Sequence, residues 1–232
     1  MLKSIEDYLK NIYELQEQEE RVTTNRLSEK LGITPASATG MIKKLAAMNL
    51  VKHRPYQGVE LTEEGRLMAL EVIRHHRLIE LFLSRALGVP WDRVHEEAEK
   101  WEHVISEDIE DRIDRFLGSP RTDPHGAPIP DKNGHIEYPP RIRMCDLSKP
   151  QRVKVVEVSD HDPELLRFLG KLKIYPQTDL TITAIEPFDK SMTIRVHQDQ
   201  YILSALVTPY IWVLTEQQLE DNDEKTLKIP VD

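Results

Sequence analysis

The sequence predicts a mainly α-helical protein with a small β domain towards its C-terminal end. Three observations carry this. Apolar residues recur at helical spacing as far as about residue 117. Pro and Gly gather between residues 118 and 150. β-forming runs dominate from about residue 151. The 232 residues suffice for two or three small domains. With 39% hydrophobic and 31% charged residues, the chain suits a folded core and not a disordered coil.

Ile5, Tyr8, Leu9, Ile12 and Leu15 repeat every three to four residues, so a first amphipathic helix spans about 4–18. A second helix, about 24–31, stops at Gly32. Thr34 can cap a third, with Pro35 suited to its first position. In the third helix Ala38, Met41, Ile42, Leu45 and Met48 form the inner stripe, leaving Ser37, Thr39, Lys43 and Lys44 outside. Val51 to Leu61 reads as a hairpin around Tyr56-Gln57-Gly58. Three helices, a tight Gly turn and a hairpin describe a winged helix-turn-helix over 1–64. Thr62 caps a long helix reaching about Ala86, and Glu63 and Glu64 favour its positive end. After Gly88 and Pro90 a helix over about 91–104 carries Val94, Ala98, Trp101 and Ile105 as its stripe. Ile109, Ile113, Phe116 and Leu117 continue the helical packing, making 65–140 a helical domain. A linker is placed at 141–150. The runs RVKVVEV, DLTITAI, MTIRV and YILSALV, with the helical PELLRFLGKL after the first, make 151–216 a small SH3-like barrel. A polar tail occupies 217–232.

Charge divides along this frame. The whole chain is at −9, yet residues 22–58 stand at +5 and residues 63–140 at −7, the latter holding six of the nine histidines. A basic module followed by an acidic, His-rich one points to polyanion contact in the first and cation binding in the second. The single cysteine, Cys145, excludes an intramolecular disulfide and a Cys-cluster metal site, and reads as a small buried hydrophobe. No apolar run is long enough to span a membrane, and MLKSIEDYLK lacks a signal core, so the expected location is the cytoplasm.

His95, Glu99, Glu102 and His103 fall at i, i+4, i+7 and i+8, in one sector about 100° wide. His76 and Glu80 stand at i, i+4 on the helix before. Imidazole and carboxylate on facing helices supply donors for a divalent cation, the alternative being a solvated acidic face. HEEAE lacks the second histidine of a zinc-protease helix, and Lys100 stands where a di-iron carboxylate motif needs Glu. No phosphate loop or nucleophile elbow occurs. In TPASATGMIKKL, small polar residues can approach base edges while Lys43 and Lys44 reach phosphates, and the hairpin offers His53, Arg54 and Tyr56. A winged domain used for protein contact is the rival reading. Apolar faces over 91–117 exceed what one helical layer buries, which predicts a homodimer.

The segments EDYLKNIYEL (6–15), 24–50, RHHRLIELFL (74–83), VHEEAEKWEHVISEDIEDRI (94–113) and DPHGAPIP (123–130) resemble the diphtheria-toxin-repressor family of metal-dependent transcriptional regulators (DtxR/MntR), in its three-domain, manganese-responsive form. The resemblance covers nearly the whole chain. It implies a helical metal-binding and dimerisation domain, a FeoA-like barrel, and two neighbouring metal sites. One joins Asp7 to Glu99, Glu102 and His103; iron-type members carry Met at the position of Asp7 and Cys at that of Glu99. The second uses His76 and Glu80, completed by His95 in iron-type members, or by Asp123, His125 and Asp160 in some manganese members. Those members carry Cys where this chain has Asp123, and two-domain manganese members have a ligand Glu at the position of Lys10. A plain loop turn for Asp123 and His125, and a helix cap for Asp160, are the structural alternatives.

The function implied is a metal-dependent DNA-binding transcriptional regulator, not an enzyme. In its sharpest form it is a repressor of metal-uptake genes, activated by Mn2+ with Fe2+ as the alternative metal, binding Thr34, Pro35, Ser37 and Thr39 to a palindromic double-stranded operator as a homodimer. No membrane and no small organic substrate are expected. The rival from another class is a metal-dependent hydrolase with a fused winged domain.

Overall fold

Helix α1 (Leu2–Gln18) forms because Ile5, Leu9 and Ile12 fall on one stripe, and all three are buried. A computed structural model describes residues 2–18, 21–54 and 58–218. The chain packs as two units. One holds the residues up to Ile79 with Ala98–Ser119 and Ile129–Ile136; the other holds Glu80–Glu97, Pro120–Pro128 and the chain from Glu137.

In the first unit, α2 (Thr24–Lys30) starts where the Thr23 side chain accepts from Arg26 N–H, and α3 (Pro35–Ala47) where Thr34 accepts from Ser37 N–H. Gly32, at φ +64°, makes the turn between them. β1 (Val51–Arg54) and β2 (Gly58–Leu61) pair antiparallel as the wing, and Val22 bridges to Val59. Ile5, Leu9 and Ile12 pack with Leu27, Ile42, Leu45, Val51, Val59, Leu70 and Ile73 in one core, each such side chain contributing about 1.5–3 kcal/mol. Tyr56 lies outside the described residues. Met48 is not on the inner stripe: α3 ends at Ala47, and Met48 follows as its cap, 45% exposed.

Helix α4 (Glu63–Leu87) is capped by Thr62, whose hydroxyl accepts from Gly65 N–H at 3.1 Å. Helix α5 is shorter than expected, Val94–Trp101, with turns on both sides. α6 (Glu107–Leu117) is capped by Ser106 and closed by Gly118 in the left-handed region. Trp101, Ile109 and Phe116, expected in an inner stripe or continuing the helical packing, stand exposed, as does Val104.

A buried ion network ties α4 to α6. Arg74 Nε donates to Glu110 Oε1 at 2.5 Å and Nη1 to the Pro130 carbonyl at 2.8 Å, while His75 Nε2 lies 2.9 Å from Glu110 Oε2. Burial alone would raise the Glu110 pKa, but His75 and Arg74 outweigh it and hold the carboxyl at about 2, against an ordinary 4.5. A carboxylate with a depressed folded pKa stabilises the fold above its unfolded value, and that contribution is lost as pH falls from 4.5 towards 2. Glu110→Gln is therefore expected to cost about 3 kcal/mol at pH 7. It should also flatten the loss of stability over that acid window, as read by denaturant unfolding at a series of pH values.

The second unit is built on a six-stranded antiparallel sheet. Its strands are β3 (Ile142–Arg143), β4 (Gln151–Val158), β5 (Asp179–Ile185), β6 (Met192–Val196), β7 (Asp199–Leu203) and β8 (Ile211–Thr215), in the order β3-β8-β4-β5-β6-β7. Helix α7 (Pro163–Lys171) buries Leu166 and Leu169 against Val153, Val155, Ile182, Ile194 and Val213. The expected strand YILSALV is two things: β7 ends at Leu203, and a short turn around Pro209 leads into β8, which pairs with β4. The segment 141–150, expected as a linker, carries β3 and the fully buried Met144. Cys145 is half-buried, not a core residue. The tail beyond residue 218 lies outside the described residues. Among the described residues, no helix is long and apolar enough to cross a membrane.

Candidate metal centres and nucleic-acid interface

Asp7 stands on α1, beside the stripe that packs into the winged unit. Glu102 and His103 follow the last turn of α5, held by Glu102 N–H donating to the Ala98 carbonyl at 2.9 Å. Ligand atoms of these three residues lie within 4.8 Å of one another. His103 Nε2 is 2.7 Å from Asp7 Oδ1 and 3.2 Å from Glu102 Oε1. It is buried and makes no hydrogen bond of acceptable geometry. An imidazole nitrogen aimed between two carboxylates fits a hard divalent cation.

Two residues not singled out by the sequence shape this cluster. Glu6 Oε2 lies 2.7 Å from His103 Nδ1, so it can accept the Nδ1 proton and leave the Nε2 lone pair facing Asp7 and Glu102. Its signal was available: Glu6 precedes Asp7 on the first turns of α1. Lys10, known only as a departure from two-domain relatives, is 7% exposed and donates to both Glu102 oxygens, at 3.1 and 2.9 Å. Burial would pull its pKa down, but the charge of Glu102 raises it above the ordinary value. Burial would push Glu102 up, yet His76 and Lys10 hold it at about 2.

Placement differs from expectation at Glu99. His76 also has Nδ1 against Glu102 and 3.2 Å from Lys10 Nζ. Glu99 is exposed and outside the gathered ligand set, though its charge reaches Lys10. His95 does not share the Glu102–His103 cluster. Eight residues separate His95 from His103, about 12 Å of helical rise, so a common angular sector does not bring them to one ion.

The second unit gathers the remaining residues around Glu80, which is fully buried on α4. Glu80, His95 and Asp160 offer ligand atoms within 4.8 Å of one another, and so do Glu80, Asp123 and His125. The Asp123-to-Ala127 loop is a tight turn in which Asp123 Oδ1 accepts from His125 N–H at 2.7 Å and Ala127 N–H at 3.0 Å. Gly126, at φ +93°, is required there: a Cβ would lie 2.0 Å from the Val156 carbonyl oxygen. The cap of α7 is Asp162, which leaves Asp160 in the cluster. Burial alone would lower the pKa of His95, but Asp160 and Glu80 raise it to about 11; burial would likewise lower that of His125, but Glu80 raises it to about 10. Asp160, which burial would raise, is held well below the usual carboxylate range by His95. A divalent cation here has to displace the imidazole protons.

On the winged unit, Thr34, Pro35, Ser37 and Lys43 are exposed at the start and outer face of α3, and Lys44 is half-buried. The Thr39 hydroxyl donates to the Pro35 carbonyl at 2.8 Å. His53 is half-buried and Arg54 exposed on β1. These positions form one edge of α3 with the adjoining strand, a helix-plus-wing surface suited to duplex DNA.

Comparison with known proteins agrees with this architecture. Residues 1–59 match the iron-dependent repressor N-terminal DNA-binding domain, 62–131 its metal-binding and dimerisation domain, and 142–214 the FeoA domain. The chain is 32% identical over 197 residues to the iron-dependent repressor IdeR of Mycobacterium tuberculosis, covering 78% of this chain and 84% of that one. It is 35% identical over 167 residues to the diphtheria toxin repressor of Corynebacterium efficiens, covering 69% and 73%. A manganese-dependent transcriptional repressor solved with manganese superimposes with a TM-score of 0.85 at 36% identity, over 90% of this chain and 99% of that one. The manganese regulator SloR gives 0.77 at 30% identity, over 91% and 98%. None of these relatives is a hydrolase by name. With three successive domain matches and relatives spanning most of its length, the chain belongs to the iron-dependent repressor family of metal-dependent, DNA-binding transcriptional regulators.

Proposed function

We propose that this chain is a manganese-activated repressor of metal-uptake genes, with ferrous iron as the alternative physiological metal, acting as a homodimer on a palindromic operator. One observation carries the reading: the half-buried Asp7, on the helix packed into the winged core, converges with the buried Glu102 and with the buried Nε2 of His103. A divalent cation supplies positive charge beyond that of Lys10, which already pairs with Glu102. The carboxylates and His103 then hold α1 to the segment after α5, and binding one arrangement more tightly shifts the population towards it. A shift from 1:99 to 99:1 takes about 5.5 kcal/mol of differential binding. Oxygen-rich donor sets favour manganese, whereas a thiolate favours softer ions.

The test is duplex selection from a random pool in manganese chloride, followed by operator affinity against free manganese, ferrous iron and zinc at fixed salt. Activation by manganese with ferrous iron close behind is expected; metal-independent binding overturns the reading. Asp7→Met with Glu99→Cys should move the ranking towards ferrous iron, cobalt or zinc. An unchanged ranking would place discrimination around Glu80. Lys43→Ala should weaken binding to all sequences and lower the salt slope by about one unit, as for a single lost phosphate contact.

A further inference from the structure

Lys10 is a buried cation set against the ligand cluster of the first unit. It stands on α1, 7% exposed, three residues after Asp7 and therefore on the same side of the helix. Its ammonium donates to both oxygens of Glu102, at 3.1 Å to Oε1 and 2.9 Å to Oε2. The two oxygens have different neighbours. Oε1 lies 3.2 Å from His103 Nε2, the nitrogen that also faces Asp7. Oε2 lies against His76 Nδ1, which is 3.2 Å from the same ammonium. Lys10 thus reaches across Glu102 from the His76 side to the side where Asp7 and His103 converge. All five residues belong to the first unit.

The charges around this point are mostly negative. Glu6, Asp7 and Glu102 surround His103, and Glu14 and Glu99 add negative charge around Lys10. A buried carboxylate left without a counter-charge is costly. In the metal-free protein Lys10 supplies that counter-charge to Glu102, and its four-carbon stem keeps it there. A divalent cation approaching Asp7, Glu102 and His103 meets an oxygen, Oε1, that an ammonium already holds. It also meets the charge of that ammonium at short range, where like charges repel.

We propose that Lys10 is a tethered competitor of the metal. It holds Glu102 Oε1 in the metal-free protein and gives up that oxygen when a divalent cation binds Asp7, Glu102 and His103. The competition sets the free-metal concentration at which the switch responds. Oε2 stays with Lys10 and His76, so Glu102 keeps a counter-charge in both states. The inference rests on the metal-activated reading above and adds what fixes its threshold. A lysine that only tied α1 to the segment after α5 predicts the opposite sign, because loosening that tie disperses the ligands and weakens metal binding.

The experiment uses the full-length chain, manganese chloride, and the variants Lys10→Met, Lys10→Gln and Lys10→Arg. Manganese bound per chain is followed by equilibrium dialysis against free manganese. The isotherm of the same protein carrying His103→Ala is subtracted, which isolates the ion held by His103. Lys10→Met and Lys10→Gln remove the charge, and should half-saturate at a free manganese concentration on the order of 10-fold below wild type. Lys10→Arg keeps the charge and should stay within about threefold of wild type. Without metal, the two neutral variants should unfold at lower denaturant than wild type, because Glu102 loses its counter-charge. Unchanged or weaker manganese binding in a folded neutral variant overturns the proposal, and so does tightening in Lys10→Arg as large as in Lys10→Met. Should neither neutral variant fold, a crystal structure of the wild type with manganese answers the question. Lys10 Nζ beyond hydrogen-bond reach of Glu102 Oε1, with an anomalous peak between Asp7 and His103, supports the proposal; Nζ still within about 3.2 Å of that oxygen overturns it. Operator affinity is measured alongside. Manganese-activated binding with the same half-activation concentration in wild type and Lys10→Met defeats this inference alone, whereas manganese-independent binding in wild type defeats the functional reading.

Discussion

His103→Ala is expected to abolish metal-activated DNA binding, dropping operator affinity in saturating manganese to its metal-free level, on the order of 100-fold. The imidazole stands between Asp7 and Glu102 with Nε2 buried between their oxygens. Without it, the set retains two carboxylates and loses its one imidazole donor, while Lys10 still pairs with Glu102. The fold should survive, because Leu9, Ile12, Leu27 and Ile42 form the surrounding core without His103. Metal-free thermal unfolding should therefore stay close to wild type. Glu6→Gln separates orientation from ligation. It keeps the volume but weakens the hold on His103 Nδ1, and losses of this kind run about 10–100-fold in metal affinity. A His103→Ala protein that still responded to manganese would move the switch away from Asp7 and Glu102.

Charge placed on the exposed apolar face of the first unit should break the dimer. Trp101, Val104, Ile109 and Phe116 all lie within Ala98–Ser119, and Val104 and Phe116 are 78% and 68% exposed. Large apolar side chains exposed along one helical segment mark a candidate interface. Around a two-fold axis each substitution enters twice, so Val104→Glu with Phe116→Glu puts four like charges where apolar surface was buried. The outcome expected in light scattering at micromolar concentration is half the wild-type mass. Affinity for a two-half-site duplex should fall at least about 100-fold, while binding to a single half-site persists. A variant that remained a dimer would place the interface elsewhere.

Much of the fold was legible because its signals are local. Strands β5 and β6 and helix α7 stand within a residue of where β-propensity and apolar spacing put them. Thr34 and Thr62 cap the helices they were expected to cap, since a cap depends on a side chain and an N–H three residues on. β3 and β8 were not legible. Each is short, and each owes its extended state to pairing with a strand distant in sequence. The exposure of Phe116 could not be read either, because an apolar helical stripe looks the same whether its own chain or another covers it.

The candidate site divides along the same line. Residue types and spacing determined that acidic helices would offer imidazole and carboxylate, that a basic helix-turn-helix would precede them, and which family the chain resembles. Folding in space decided which donors meet. Lys10 and Glu102, 92 positions apart, became an ion pair; His76 turned to Glu102; His95 parted from His103 along the helix; and Glu80 received an imidazole on each face. A helical repeat specifies direction around an axis within a few turns. Which groups come within about 3 Å of one another depends on how separate elements pack, and that is set by the summed burial of many apolar side chains.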